Sequence, residues 1–455
     1  DCVHRHWLTI KWAHFHLNND SDSNVKASIM VVQKEEIKGE AAADFHPAPV
    51  WLNESYLESL LQSKKNDAGL RVTGLDIKPA TSKGENYASI MTRVKVSYVK
   101  SGAKNPEKGS YIVKTTYEND PFISNIFSGY QASTTEMLMY EKILPKLSAL
   151  IDGTQQPEKL FAKTLHVDYE HDAIIFEDLA VTNHVLADRL AGFDLEHTHM
   201  ALRKLAKMHA AAAVLNERQP GVLTKLDHGI FNRHTEGFGP FFQNMMGEGA
   251  EFADTCPELG SYYGDKLRAL VKRVMEYSTR VYDPQPDEFN TLVHGDYWVN
   301  NVMLRYSEKK EPLDMILIDF QFSSWSSPAV DLHYFFNTSL QKNIRFHQQD
   351  ALIQFYHKVL VDTLKDLKYG GYIPSLRQLV LQLEKGKFMA VIVSLACNGI
   401  MLNDQTADAD FLSLIQDDER GRNFRRLVYS NKKFQEFVKH FLPLFDRSGL
   451  LDVTD

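Results

Sequence analysis

The chain has 455 residues, 44% of them hydrophobic and 24% charged, with a formal net charge of −8 at pH 7. This is a globular composition with material for more than one core, and the scattered basic residues argue against a nucleic-acid surface while leaving room for one local phosphate site. The three cysteines, Cys2, Cys256 and Cys397, have neither disulfide-framework nor zinc spacing, which fits a reducing compartment such as the cytoplasm.

Residues 1–47 read as a poorly ordered N-terminal extension. His4, His6, His14 and His16 lack partners at a metal-binding spacing, and the first residues lack the charged-then-apolar build of a signal peptide. Order begins near "HPAPVWLNESYLESLLQSKK", where Leu52, Tyr56, Leu57 and Leu60 recur at helical spacing and Asn53 or Ser55 can cap the start. Val94, Val96 and Tyr98 then alternate with Arg93, Lys95 and Ser97, the period-two pattern of a half-buried strand. "SGAKNPEKGS" is turn material, so "YIVKTT" is expected to return as an antiparallel partner.

A helix is expected within Ser133–Leu144, ended by Pro145, and a second strand pair at "KTLHVDY" and "DAIIFEDL". From Asp194, a candidate N-cap, the chain turns mostly helical, with Leu195, Leu202, Leu205, Met208 and Ala212 on one face. A strand–loop–strand unit interrupts it at about residues 291–320. The most apolar run, Phe388–Leu402, is broken by Ser394 and Asn398 and too short for a membrane span, so it reads as a buried helix.

The chemistry concentrates in "LVHGDYWVNN" and the asparagine that follows. Asp296 and Asn301 stand five apart in the register H-G-D-x-x-x-x-N, the spacing of the protein-kinase catalytic loop. There the aspartate accepts the proton of the attacking hydroxyl and the asparagine holds magnesium. A second metal ligand should follow on a neighbouring strand, and "MILIDFQ" supplies Asp319, with Gln321 where the D-F-G pattern has glycine. Asp331 follows in "PAVDLHYFF" and is expected to tie down the loop. His294 and His209 are read as structural histidines.

The same template asks for a lysine on a strand and a glutamate on the next helix. Lys114 lies in "YIVKTT", where an unpaired charge is costly. Glu136 and Glu141 are the candidate partners; five helical steps set them roughly 140° apart, and Glu136 shares the apolar face with Tyr140 and Ile143. "SKGENYAS" is the candidate phosphate-covering loop, through Gly84 and the backbone N–H groups of Asn86 to Ser89. No P-loop motif is present.

Together "GENYAS", "YIVKTT", "IIFEDL", "LAKMHA", "HGDYWVNN" and "LIDFQFSSWSSPAVDLHYFF" resemble the ecdysteroid kinase-like family, grouped with the choline and aminoglycoside phosphotransferases. The resemblance spans roughly residues 48–452. It implies an α+β, two-lobed protein-kinase-like fold: a small antiparallel-sheet lobe over residues 48–178 and a larger, mainly helical lobe over 179–455. It also implies Asp296 as catalytic base, Asn301 and Asp319 as Mg2+ ligands, Lys114 with Glu136 at the ATP phosphates, and Glu177 to Leu179 as the hinge that reads adenine. Tyr297 departs from the leucine usual after the loop aspartate.

The expectation is therefore a cytoplasmic, ATP- and Mg2+-dependent phosphotransferase, taken as a monomer, acting on a small-molecule hydroxyl, by resemblance an ecdysteroid or another apolar alcohol. The alternatives are a choline- or aminoglycoside-type kinase of a polar acceptor and a non-catalytic nucleotide-binding pseudokinase. "GFGPFFQNMMGEG" speaks for an apolar acceptor if it is not core, and "DQTADAD" and "QDDER" for a cationic one if they are not solvated loops.

Overall fold

A computed structural model describes residues 48–80, 89–116, 121–404 and 411–453. The N-terminal extension with its histidines and Cys2, and the loop residues Gly84 and Asn86, lie outside the described residues.

Helix α1 (Glu54–Lys65) starts at Asn53, whose side chain accepts from the Tyr56 N–H, and it buries Leu57, Leu60 and Leu61. Strands β1 (Arg71–Pro79), β2 (Ser89–Val99) and β3 (Glu107–Thr116) follow. The β2–β3 hairpin has the expected alternation, with Val94 opposite Tyr111 and Met91 opposite Lys114. Strand β1 has no such signature in the sequence, because a register shift between Val72 and Gly74 interrupts its alternation at the sheet edge.

Helices α2 (Pro121–Gly129) and α3 (Ala132–Leu138) come next. The expected stop at Pro145 is corrected. A π-turn over Met139–Ile143 leads directly into α4 (Leu144–Asp152), with Pro145 in its first turn. A proline there removes only an N–H that needs no helical partner. Strands β4 (Thr164–Asp168) and β5 (Ala173–Glu177) complete an antiparallel sheet of order β1-β2-β3-β5-β4.

Beyond a short strand β6 (His184–Leu186) the chain is mainly helical. Helix α5 (Leu195–Arg218) is capped by Asp194, which accepts from the His197 N–H; Leu202, Leu205, Met208 and Ala212 are buried, whereas Leu195 is exposed. Helices α6 (Gly239–Thr255), α7 (Ser261–Val271) and α8 (Val274–Tyr282) precede the strand–loop–strand unit. That unit holds β7 (Thr291–Val293), β8 (Val302–Tyr306) and β9 (Pro312–Leu317). Strand β10 (Ser324–Ser326) pairs with β7, and β8 lies between β6 and β9.

Helix α9 (Ala329–Thr338) follows, then α10 (Lys342–His347), α11 (Gln349–Asp366) and α12 (Leu376–Lys385). The apolar run at 388–401 is helical and buried, a π-turn separating α13 (Phe388–Ile392) from α14 (Asn398–Met401). Helices α15 (Phe411–Ile415), α16 (Glu419–Ser430) and α17 (Lys432–Arg447) close the chain. No helix among the described residues is long and apolar enough to cross a membrane.

The antiparallel sheet and the helices share apolar core. Met137, Tyr140 and Phe176 pack in one cluster with Leu205, Leu292, Tyr297 and Phe320. The Tyr140 ring lies 4.6 Å from Phe176 and 5.7 Å from Phe320.

Candidate active site

Strand β7 delivers the chain to a turn that only glycine fits. Gly295 has φ +83°, and a Cβ there would lie 2.1 Å from the Phe322 carbonyl oxygen. The turn is held from below by Asp331 of α9, which is fully buried. Its carboxylate accepts from the His294 N–H at 2.7 Å, the Gly295 N–H at 2.9 Å and His209 Nε2 at 3.0 Å. His209 Nδ1 in turn accepts from the Tyr356 hydroxyl at 2.6 Å. His294 donates from Nε2 to the Ile318 carbonyl at 2.9 Å, fixing the loop to the end of β9 beside Asp319. Both histidines are thus spent on structure. Tyr297 donates to the Ala201 carbonyl at 2.9 Å from within the core, so its hydroxyl is satisfied where leucine would have none.

Asp296 emerges from this turn largely buried, with part of its surface open. Asn301 Nδ2 donates to its carbonyl at 2.8 Å and to its carboxylate at 2.9 Å. Burial pushes the Asp296 carboxyl above the usual carboxylate range; the Tyr334 hydroxyl opposes this, the Asp319 charge adds to it, and the Asn301 amide opposes it. Tyr334, on α9, was not singled out from the sequence. Its signal was its place three residues after Asp331, about one turn along the same helix.

Asp319 is a non-glycine residue at φ +66°, a conformation that has to be held by its surroundings. Its Oδ1 accepts from Lys114 Nζ at 2.7 Å, and the same ammonium lies 2.6 Å from Glu136 Oε2. Lys114 comes from the C-terminal part of β3 and Glu136 from α3; the Glu136 side chain is buried and that of Lys114 nearly so, 11% exposed. Burial pulls the Lys114 ammonium down, but Asp319 and Glu136 outweigh it and hold it above the ordinary lysine value. Burial pushes the Glu136 carboxyl up to about 7, with the Lys114 charge opposing and Asp319 adding to the rise. Glu141 instead accepts from the Tyr169 hydroxyl at 3.0 Å, on the exposed side.

A cavity of about 300 Å³ opens beside the Lys114–Glu136 pair, lined among others by Ser89, Ser124, Phe127, Ser128 and Gln321. Ser89 begins β2 and is buried. The wall from α2 was missed in the sequence, although Pro121 at its first position and the Ile123, Ile126, Phe127 spacing carry a helix signal. Glu177 ends β5; its Oε1 accepts from Lys159 Nζ at 2.5 Å and the Lys163 N–H at 2.6 Å, and its own N–H donates to the Lys163 carbonyl at 2.9 Å. Asp178 binds Arg93, Ser110 and the Ala180 N–H, and Leu179 packs on Ala162 and Ile316.

The acceptor signals that fall on described residues are taken up by the core and by ion pairs. Phe238, Phe242, Met245 and Met246 are core. Asp417 pairs with Arg422 and Arg425, and Asp418 caps α16. Most of "DQTADAD" lies outside the described residues.

Among known proteins, the model of the ecdysteroid kinase-like family matches residues 83–369, a stretch that contains Lys114, Glu136, Asp296, Asn301, Asp319 and Asp331. No curated protein matches the chain.

Proposed function

The chain belongs to the ecdysteroid kinase-like family, whose members are kinase-like phosphotransferases, and from that premise we propose that it moves the γ-phosphoryl group of ATP to a hydroxyl of a small molecule. The observation that carries this reading is the meeting of two bonded groups: Asn301 on Asp296, and Lys114 between Glu136 and Asp319. In this reading the sheet with its helices, residues 48–178, and the mainly helical remainder are the two lobes of a kinase-like fold, with Glu177 to Leu179 as the adenine-reading hinge.

Glu136 and Asp319 share the one Lys114 ammonium, and the Asp296 carboxyl, which has no cation of its own there, feels the Asp319 charge, an imbalance that suits a divalent cation. The donor set fits a hard ion: Asn301 keeps its Oδ1 while its Nδ2 serves Asp296, and Asp319 offers a carboxylate. Mg2+ held there would neutralise charge on the transferring phosphoryl group. Lys114, oriented by Glu136, would reach the α- and β-phosphates, and the backbone from Gly84 and Asn86 to Ser89 would cover them.

Asp296 accepts the proton of the acceptor hydroxyl. The freed oxygen bonds to the γ-phosphorus as the bond to ADP breaks, and Asn301 and Tyr334 hold the carboxylate ionised and in place. The acceptor we infer from the family is an ecdysteroid or another apolar alcohol. A screen with γ-labelled ATP against steroid alcohols, choline, aminoglycosides and plant-derived alcohols, read by product mass, tests this. A phosphorylated steroid or apolar alcohol is expected. Turnover of a polar cation with no apolar alcohol would overturn the acceptor class and leave the transferase reading standing.

A further inference from the structure

Among the described residues, Asp227, His228 and His234 are the one group of three potential metal ligands whose donor atoms all lie within 4.8 Å of one another. They sit between α5 and α6 and take no part in the chemistry above. His228 Nδ1 is 2.6 Å from one oxygen of Asp227, and His234 Nε2 is 2.9 Å from the other. The two imidazole rings are stacked, 4.0 Å apart and inclined by 6°.

The loop that carries them is built rather than merely exposed. The buried Asn232 staples it, its Oδ1 accepting from the His234 N–H at 2.8 Å and the Thr235 N–H at 3.0 Å, while its Nδ2 donates to the Gly229 carbonyl at 2.8 Å. The loop is anchored at its start by the Trp325 N–H on the Leu226 carbonyl, 2.7 Å, and at its end by the Phe238 N–H on the buried Tyr130 hydroxyl, 3.1 Å. Gln131 stands 3.2 Å from the remaining nitrogen of His228. Its amide accepts the N–H of a metal-bound ring as readily as it donates to a free one, by a flip of the side chain.

We propose that Asp227, His228 and His234 form a binding site for a transition-metal ion, of which Zn2+ fits best. Two imidazoles and one carboxylate are a nitrogen-rich donor set suited to Zn2+ rather than Mg2+. Metal–ligand bonds of about 2.0–2.2 Å require only modest shifts of the three donor atoms, since the Asp227 oxygens already stand 2.6 and 2.9 Å from the two ring nitrogens. The side chains of Asp227 and His234 can move that far, being about half exposed at 52% and 45%. Solvent supplies the fourth ligand. Through Gln131, at the start of α3, the ion would clamp the loop to the helix that carries Glu136.

The test is a calorimetric titration of Zn2+ into the metal-free full chain and into the His228→Asn/His234→Asn variant, with Co2+ absorption in the visible as a second readout. The histidines near the N-terminus contribute equally to both proteins, so the difference is what counts. The variant is expected to bind one equivalent fewer and to lose the matching part of the Co2+ spectrum. Equal stoichiometry and equal spectra would overturn the proposal and leave a hydrogen-bonded trio only. If circular dichroism shows the double variant unfolded, Asp227→Asn decides in its place. It should weaken that equivalent by about tenfold or more, and an unchanged titration would overturn the site.

Discussion

Asp296 must be ionised to accept a proton, and burial works against that. The Tyr334 hydroxyl is the foremost group working in the other direction. Tyr334→Phe removes that donor, so the Asp296 carboxyl should rise further. Activity is lost as pH falls through this value, so the acid limb of kcat/KM is expected to move to higher pH, with near-normal rates well above it. A pH–rate profile checks this, and an unmoved limb would mean that Tyr334 only fills space. Gly295 is the second residue with a sharp expectation. Alanine there would adopt a left-handed backbone at about 1–2 kcal/mol and displace the Phe322 carbonyl at about 1–3 kcal/mol more. The urea midpoint of Gly295→Ala should fall accordingly; an unchanged midpoint would contradict the packing at the turn.

Between elements, the pairing of β3 with α3 and with the end of β9 concentrates the charge. Lys114→Met would leave Glu136 and Asp319 without their cation, which for a buried pair costs about 3–5 kcal/mol. The sign with pH follows from Glu136, whose folded-state value of about 7 lies above the ordinary 4.5. Stability from its protonation is present below the unfolded value and lost as pH rises through the folded one. Removing Lys114 raises the folded value further. The deficit of Lys114→Met should therefore be largest near pH 8 and shrink towards pH 5, as followed by urea unfolding across that range. A constant deficit would show that the carboxylates are not coupled through the lysine. At this scale the sequence is partly legible. The β2–β3 hairpin and α5 show their period and caps plainly. The helix through Pro145 does not, because a π-turn shifts where the missing N–H falls, and β1 does not, because its bulge breaks the alternation.

Over the whole molecule, the α+β content and the helical bulk after Asp194 follow from patterning alone. The contact between Lys114 and Asp319 bridges 205 positions and has no local signal. It is not foreshadowed in the sequence, whereas the choice of Glu136 over Glu141 follows from the helix face that Glu136 shares with Tyr140 and Ile143. The cavity wall from α2 escaped because it belongs to no motif, and Tyr334, although it stands in "PAVDLHYFF", because it reads there as one more aromatic of a buried run. The fold nevertheless brings four segments to one place: Asn301 bonds to Asp296 in the loop after β7, Lys114 of β3 bridges Glu136 of α3 and Asp319 beyond β9, and Asp296 feels the Asp319 charge. The most direct measurement of what that cluster does is single-turnover phosphoryl transfer from Mg2+–ATP to the acceptor found by screening, in the wild-type chain and in Asp296→Asn. The account predicts that transfer slows by about 10²–10⁴-fold in the variant while its fold and nucleotide affinity are kept. A folded variant that transfers at the wild-type rate would contradict it.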